Sequence, residues 1–343
     1  MTLVAAREHP KTRSPTPVEL LLAALVLAIA LASLMIGASG LTLTRLWQGL
    51  TGGDEVAAIV LHEIRLPRML LSLGVGAALG LSGAAIQALT RNPLAEPAVL
   101  GTPQAAALGA VAVLYTGVAA ANSVLLAIAA IAAAGLAMGL MVFLIRSRQN
   151  ILTLLLAGIG IGSLAGAAMS FIISVSPNPY AVMEIVFWLM GSFEDRSMIH
   201  VAIALPFLLL SGVMIFACRR AYTAMALGDD VARSLGIDVS RITLLTAAGI
   251  AVGVGSSVAV SGAIGFVGLI APHLVRPWCA GDPGRTLVPS ALCGAALTGL
   301  ADILVRLIPS TGEIRVGVIT AIIGAPMFIW LIVTRRGLFG ATA

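Results

Sequence analysis

The side chains able to carry covalent chemistry are few in this chain, and their spacing excludes most of the reactions they would serve. The single lysine, Lys11, stands in the setting HPKT. A phosphate-cradling GxxxxGK[ST] loop needs a lysine that meets the β and γ phosphates, so no such ATP-hydrolysing loop is present. The four histidines, His9, His62, His200 and His273, lie far apart and none forms an HExxH pattern. Cys218, Cys279 and Cys293 sit in or beside apolar runs without CxxC spacing, and they receive no metal or redox role. The glycine clusters GVGAALG (Gly74, Gly76, Gly80) and GIGIG (Gly158, Gly160, Gly162) follow no strand pattern and precede no acidic residue about twenty positions on. They read as helix-packing surfaces. No catalytic residue, no metal site and no cofactor bound by this chain is expected, and the chain is not read as an enzyme.

Asp302 and Arg306, spaced i, i+4, read as a local ion pair near one end of an apolar run. The middles of the apolar runs are almost bare of ionisable residues. Groups of that kind persist inside a bilayer for function, so their scarcity argues against proton-coupled or ion-coupled secondary transport.

The elements that must position these residues are membrane helices. Of 343 residues, 59% are hydrophobic and only 10% charged, against roughly 25% charged in soluble domains, and mean hydropathy is +1.06. In water such a chain would expose apolar patches that drive aggregation; lipid removes the problem. The 37 glycines allow close backbone approach between helices in a medium that offers no hydrophobic drive for their association. Although the sequence pI is near 9.7, the arginines lie singly or in pairs between apolar runs instead of forming a stripe, which speaks for membrane topology and against nucleic acid.

Ten apolar segments follow a polar amino-terminal tail, residues 1–17: 18–41, 69–89, 102–114, 123–145, 151–173, 200–218, 242–260, 269–279, 286–307 and 316–333. The first exceeds a signal-peptide core and is expected to remain as a span. Those beginning at Thr102, Leu269 and Val316 are short, hence tilted, re-entrant or incompletely spanning. With both termini inside, fourteen of the twenty Lys and Arg fall on the inner side, the asymmetry that retention of basic residues produces. The reading is an all-α polytopic protein, one permease domain over 18–343 with about ten transmembrane helices. Two connections are long and polar: 42–68 outside, and 219–241 inside. The second reads RRAYTAMALGDDVARSLGIDVSR and predicts a short surface helix between two glycine breaks.

Four stretches go beyond generic membrane chemistry. IQALTRNPLAEPAVLG turns the chain tightly at Asn92-Pro93, Glu96-Pro97 and Gly101. RLPR places Arg65 and Arg68 on one side at the outer surface. GAIGFVGLIAPHLVR interrupts a span with three glycines and Pro272, and GEIRVGVITAIIGAPMFIWLI weakens the last span at Gly324 and Pro326. In this order and spacing, with LGDDVARSLG between them, these motifs resemble the bacterial permeases that import ferric siderophores, haem and cobalamin, the type II importers of the ATP-binding cassette class.

That resemblance implies the rest. Two copies of the permease form a dimer with the path between them, along the fifth and tenth spans. Two cytoplasmic ATPase subunits, which bind ATP and Mg, dock beneath. The coupling segment corresponds to Leu227, Gly228, Asp229, Asp230, Ala232, Arg233, Leu235 and Gly236, and a substrate-loaded periplasmic binding protein is received by Arg65, Arg68 and Arg306. Arginine suits the task, since its planar fork pairs a carboxylate in two places. Where relatives have Glu-Leu-Pro, this chain has Glu313-Ile314-Arg315, so Arg315 joins the docking face. The inner constriction corresponds to Asn150, Ile151 and Leu152, a hydrophobic gate. The implied function is import of a haem or ferric siderophore across the bacterial inner membrane, with cobalamin as the alternative cargo.

Overall fold

The structure is a computed structural model describing residues 16–37, 42–117, 123–145, 151–308 and 314–334. Asn150 and Glu313 lie outside the described residues. Among those described, every regular element is helical. α1 (Pro17–Met35) opens on a capping box in which Thr16 and Glu19 satisfy each other's backbone donors, with Pro17 at the first helical position.

The segment 42–68 differs from its expected polar connection. It folds as α2 (Leu43–Thr51) and α3 (Glu55–Ile59), and α3 continues through a π-helical turn, Val60–Arg65, into α4 (Leu66–Thr90). Asp54 starts α3 by accepting the Ala57 N–H at 3.0 Å. The widened π turn lies immediately before Pro67, whose missing N–H would otherwise break a continuous helix. Arg65 and Arg68 therefore stand within one helical rod and not on a loop.

A 3₁₀ turn, Pro97–Leu100, leads to the short α5 (Thr102–Tyr115), followed by α6 (Ser123–Ile145), α7 (Ile151–Val175), α8 (Pro179–Leu189) and α9 (Met198–Ala217). The inner connection holds α10 (Arg219–Met225) and α11 (Asp229–Ser234), and the chain closes with α12 (Val239–Ser261), α13 (Val267–Val275), α14 (Pro283–Leu307) and α15 (Val316–Thr334). The ten expected spans correspond to α1, α4, α5, α6, α7, α9, α12, α13, α14 and α15. Seven helices are long and apolar enough to cross a bilayer among the described residues, while α5, α8 and the apolar part of α15 are shorter. α8 was not expected, because its apolar run is too short to read as a span.

Neither proline expected to disturb a span breaks its helix. Pro272 and Pro326 both lie inside intact helices, α13 and α15. The expected interruption of this span falls at 262–266, between α12 and α13 and on two of its three glycines, Gly262 and Gly265, where Phe266 has a left-handed backbone, φ +67, steadied by its N–H donating to Glu96 Oε1 at 2.9 Å.

Burial sorts the helices by role. In its most apolar stretch α4 is 72% buried, α12 72% and α14 67%, against 11% for α1 and 22% for α7. The first three form the core, and the others turn apolar faces outward as lipid requires. α4 and α14 meet backbone to backbone: a Cβ at Gly80 would collide with the Ser290 carbonyl, and one at Gly76 with the Gly294 carbonyl.

Candidate functional site

The polar residues collect at the two ends of this core. At one end, Asp302 on α14 is fully buried and divides its carboxylate between two guanidinium groups. Arg68 Nε donates to Oδ1 at 2.9 Å and Arg306 Nη2 to Oδ2 at 2.8 Å. Arg306 also donates to the carbonyls of Ser33 and Ile36 at 2.9 and 2.8 Å, and Arg65, itself buried, donates to the carbonyls of Leu34 and Met35 at 2.6 and 3.0 Å. The expected Asp302 and Arg306 pair is therefore present, and Arg68 extends it. These three arginines are drawn into the molecule, Arg65 and Arg306 by carbonyls at the carboxyl end of α1 that lack a helical partner and Arg68 by Asp302. Charges buried this far are held only when paired and hydrogen-bonded.

Arg315 is the more accessible. Its Nη1 donates to Glu194 Oε2 at 2.7 Å, with side chains 25% and 37% exposed, and its guanidinium stacks over Phe187 at 5.5 Å. Nearby, Arg196 Nε donates to the Val260 carbonyl at 2.6 Å. Burial pulls the Arg196 guanidinium below its ordinary range; Asp195 opposes that shift and Arg315 adds to it. An open apolar groove of about 640 Å³ lies between α8 and α15, lined by Leu189, Met190, Ala263, Val318, Ala321 and Ile322 among others. Of the two helices expected to bound the path, α15 contributes to this groove and α7 does not.

At the other end lies the segment 219–241. α10 is seated by Ala221, Tyr222 and Met225, all buried, and the Tyr222 hydroxyl lies 2.8 Å from Thr246 Oγ1. Gly228 at φ +114 and Gly236 at φ +81 frame α11, backbone angles that favour glycine. Ala232 points inward and is fully buried, whereas Leu227, Val231 and Leu235 stand 70%, 41% and 64% exposed. Val231 was missed in the sequence, although it falls four positions from both leucines. Asp230 projects freely and pairs with Arg233 at 3.0 Å. Asp229 Oδ1 lies 3.2 Å from Arg91 Nη2, a charge contact without hydrogen-bond alignment. Leu227, Val231 and Leu235 thus form an exposed apolar patch with a charged rim on a connection outside the spans.

Of the expected inner constriction, Ile151 begins α7 and packs partly against the core, while Leu152 is 63% exposed. Among the described residues no cluster of three or more His, Cys, Asp or Glu could hold a metal ion.

A family model of the FecCD transport family matches residues 24–334. The chain belongs to the FecCD transport family. The vitamin B12 import system permease protein BtuC of Salmonella schwarzengrund (strain CVM19633) is 37% identical over 316 residues, covering 89% of this chain and 94% of that protein. The uncharacterized ABC transporter permease protein YvrB of Bacillus subtilis (strain 168) is 36% identical over 288 residues, covering 82% and 81%. Among solved structures, an inward-facing conformation of a transporter assigned to the metal-chelate type of ABC transporters superposes with TM-score 0.82 at 30% identity, over 92% of this chain and 99% of that one. This FecCD-type chain is a multi-pass ABC importer permease, in a class whose ATPase activity resides in a separate subunit.

Proposed function

We propose that this permease passes a bulky iron chelate, a haem or a ferric siderophore, from the periplasm to the cytoplasm as one half of a homodimer. Both termini face the cytoplasm, two ATPase subunits carrying ATP and Mg dock on 219–241, and a loaded periplasmic binding protein docks at the opposite end. The observation that carries the reading is the exposed apolar patch of Leu227, Val231 and Leu235 on a short helix held between two glycine breaks. A rigid lever of that kind suits a nucleotide-driven partner. The groove beside α15 is wide and apolar, which suits large, chemically varied chelates and leaves selection to the binding protein.

Of the four arginines expected to receive the binding protein, Arg315 is the most open to a partner's carboxylate. Arg68 and Arg306 share a single aspartate, two cations to one anion, which favours approach of an acidic surface, and Arg65 is held beside the carboxyl end of α1. The gate is proposed at Asn150, Ile151 and Leu152. Cobalamin is the second reading for the cargo, favoured by the likeness to a vitamin B12 import permease.

Uptake into proteoliposomes holding the permease and its ATPase, supplied with binding protein and either ferric siderophore, haem or cobalamin, tests both readings. The expected result is uptake of an iron chelate that requires ATP. Uptake of cobalamin alone selects the second reading, and accumulation driven by a pH gradient without nucleotide overturns both.

A further inference from the structure

α4 and α14 reach both polar ends of the molecule, and each touches the segment 219–241, α14 through α10 and α4 through α10 and α11. α4 ends on Arg91, whose backbone is left-handed at φ +51. From there Nη2 approaches Asp229 Oδ1 of α11 to 3.2 Å and Nη1 donates to the Met225 carbonyl at 3.4 Å. α14 starts at its N-cap Asp282, whose Oδ1 accepts both the Gly284 N–H at 2.9 Å and the Thr223 hydroxyl of α10 at 2.7 Å. Arg285 pairs with the other oxygen at 3.1 Å, and Gly284 lies against the Arg219 carbonyl.

We infer that Arg91 and Asp282 are positioning residues that hold the coupling segment on the paired helices α4 and α14, so that this pair carries displacement between the two faces as one body. The pair is suited to it. Its helices touch through glycine backbone at Gly76, Gly80 and Gly294, with no long side chain between them to yield. At the far end Asp302 of α14 is tied to Arg68 at the start of α4. A 25-residue helix spans about 37 Å at 1.5 Å per residue, which is the thickness over which a signal has to pass. A packed element with two defined ends is the physical route for coupling between distant sites.

The part of this inference that concerns transmission rests on the ATPase docking proposed above; the part that concerns positioning does not. Hydrogen exchange of the full-length permease in detergent addresses positioning directly. R91Q is expected to speed exchange of amides 226–236 about fivefold, D282A to do the same for 219–225, and the charge swap R91D/D229R to restore the first. Unchanged exchange in R91Q and D282A overturns the positioning role, and a swap that restores nothing overturns the ion pair as its cause. In nanodiscs with ATPase and binding protein, the ratio of stimulated to unstimulated hydrolysis is expected to fall about fivefold in R91Q and to recover in the swap. A ratio that does not move overturns transmission. An ATPase that fails to bind the wild-type permease overturns the docking proposal, and the exchange result still decides the positioning.

Discussion

Arg68 and Asp302 stand 234 positions apart in the chain and 2.9 Å apart in the fold. The contact ties the start of α4 to α14 at a point where the Asp302 side chain is fully buried and that of Arg68 only 11% exposed. Pairing carries little net stability where both partners can be replaced by apolar groups, but removal of one partner strands the other.

Asp302→Asn is therefore expected to lower stability by about 3 kcal/mol, because Arg68 and Arg306 lose their shared counter-charge while the site keeps its size. Thermal unfolding in detergent measures it. A midpoint equal to that of the wild type would mean that the arginines find other partners at no cost.

Gly80→Leu is expected to prevent folding, since its Cβ has no room against the Ser290 carbonyl. Gly160→Leu meets nothing within 4 Å and is expected to fold normally. Yield of monodisperse protein by size exclusion compares them; equal yields would remove the close α4 and α14 crossing as a stability determinant.

Leu227→Asp with Val231→Asp is expected to abolish co-purification of the ATPase, and Asp229→Lys with Asp230→Lys to leave it bound but uncouple hydrolysis from uptake. The first pair removes the exposed apolar contact, and the second reverses charge on the lever. Retention of ATPase by the aspartate pair would place the docking surface elsewhere.

Arg315→Glu is expected to weaken capture of the binding protein about tenfold at low salt, with the difference shrinking as ionic strength rises. Surface plasmon resonance at two salt concentrations reads both effects. Unaltered affinity at low salt would exclude Arg315 from docking. Reversal of Arg68 or Arg306 is a poorer probe, because their internal bonds make loss of fold the first consequence.

The membrane character, the order of the ten apolar segments and the short helix between Gly228 and Gly236 were determined by the sequence alone. Each follows from local composition: run length for a span, and paired glycines for a break. The family motifs were legible for the same reason, since NPLAEP and LGDDVARSLG are contiguous. Helix α8 and the helical course of 43–65 were not, because short amphipathic runs broken by Glu184 or by Glu55, His62 and Glu63 resemble polar connections until packing and capping stabilise them.

Only the tertiary structure decided the long-range partners of the arginines. The pair of Arg306 with Asp302 is legible from its i, i+4 spacing. Arg65 and Arg68 read as lying at the outer surface, yet burial leaves each needing a partner, and the carboxyl end of α1 and Asp302 are close enough to supply one. The pairings of Arg315 with Glu194 and of Arg91 with Asp229 join residues 121 and 138 positions apart. Spacing along a chain predicts neighbours within a helix; which helices lie side by side is set by the packing of small residues such as Gly80 against Ser290, and the partners of charged groups follow from that.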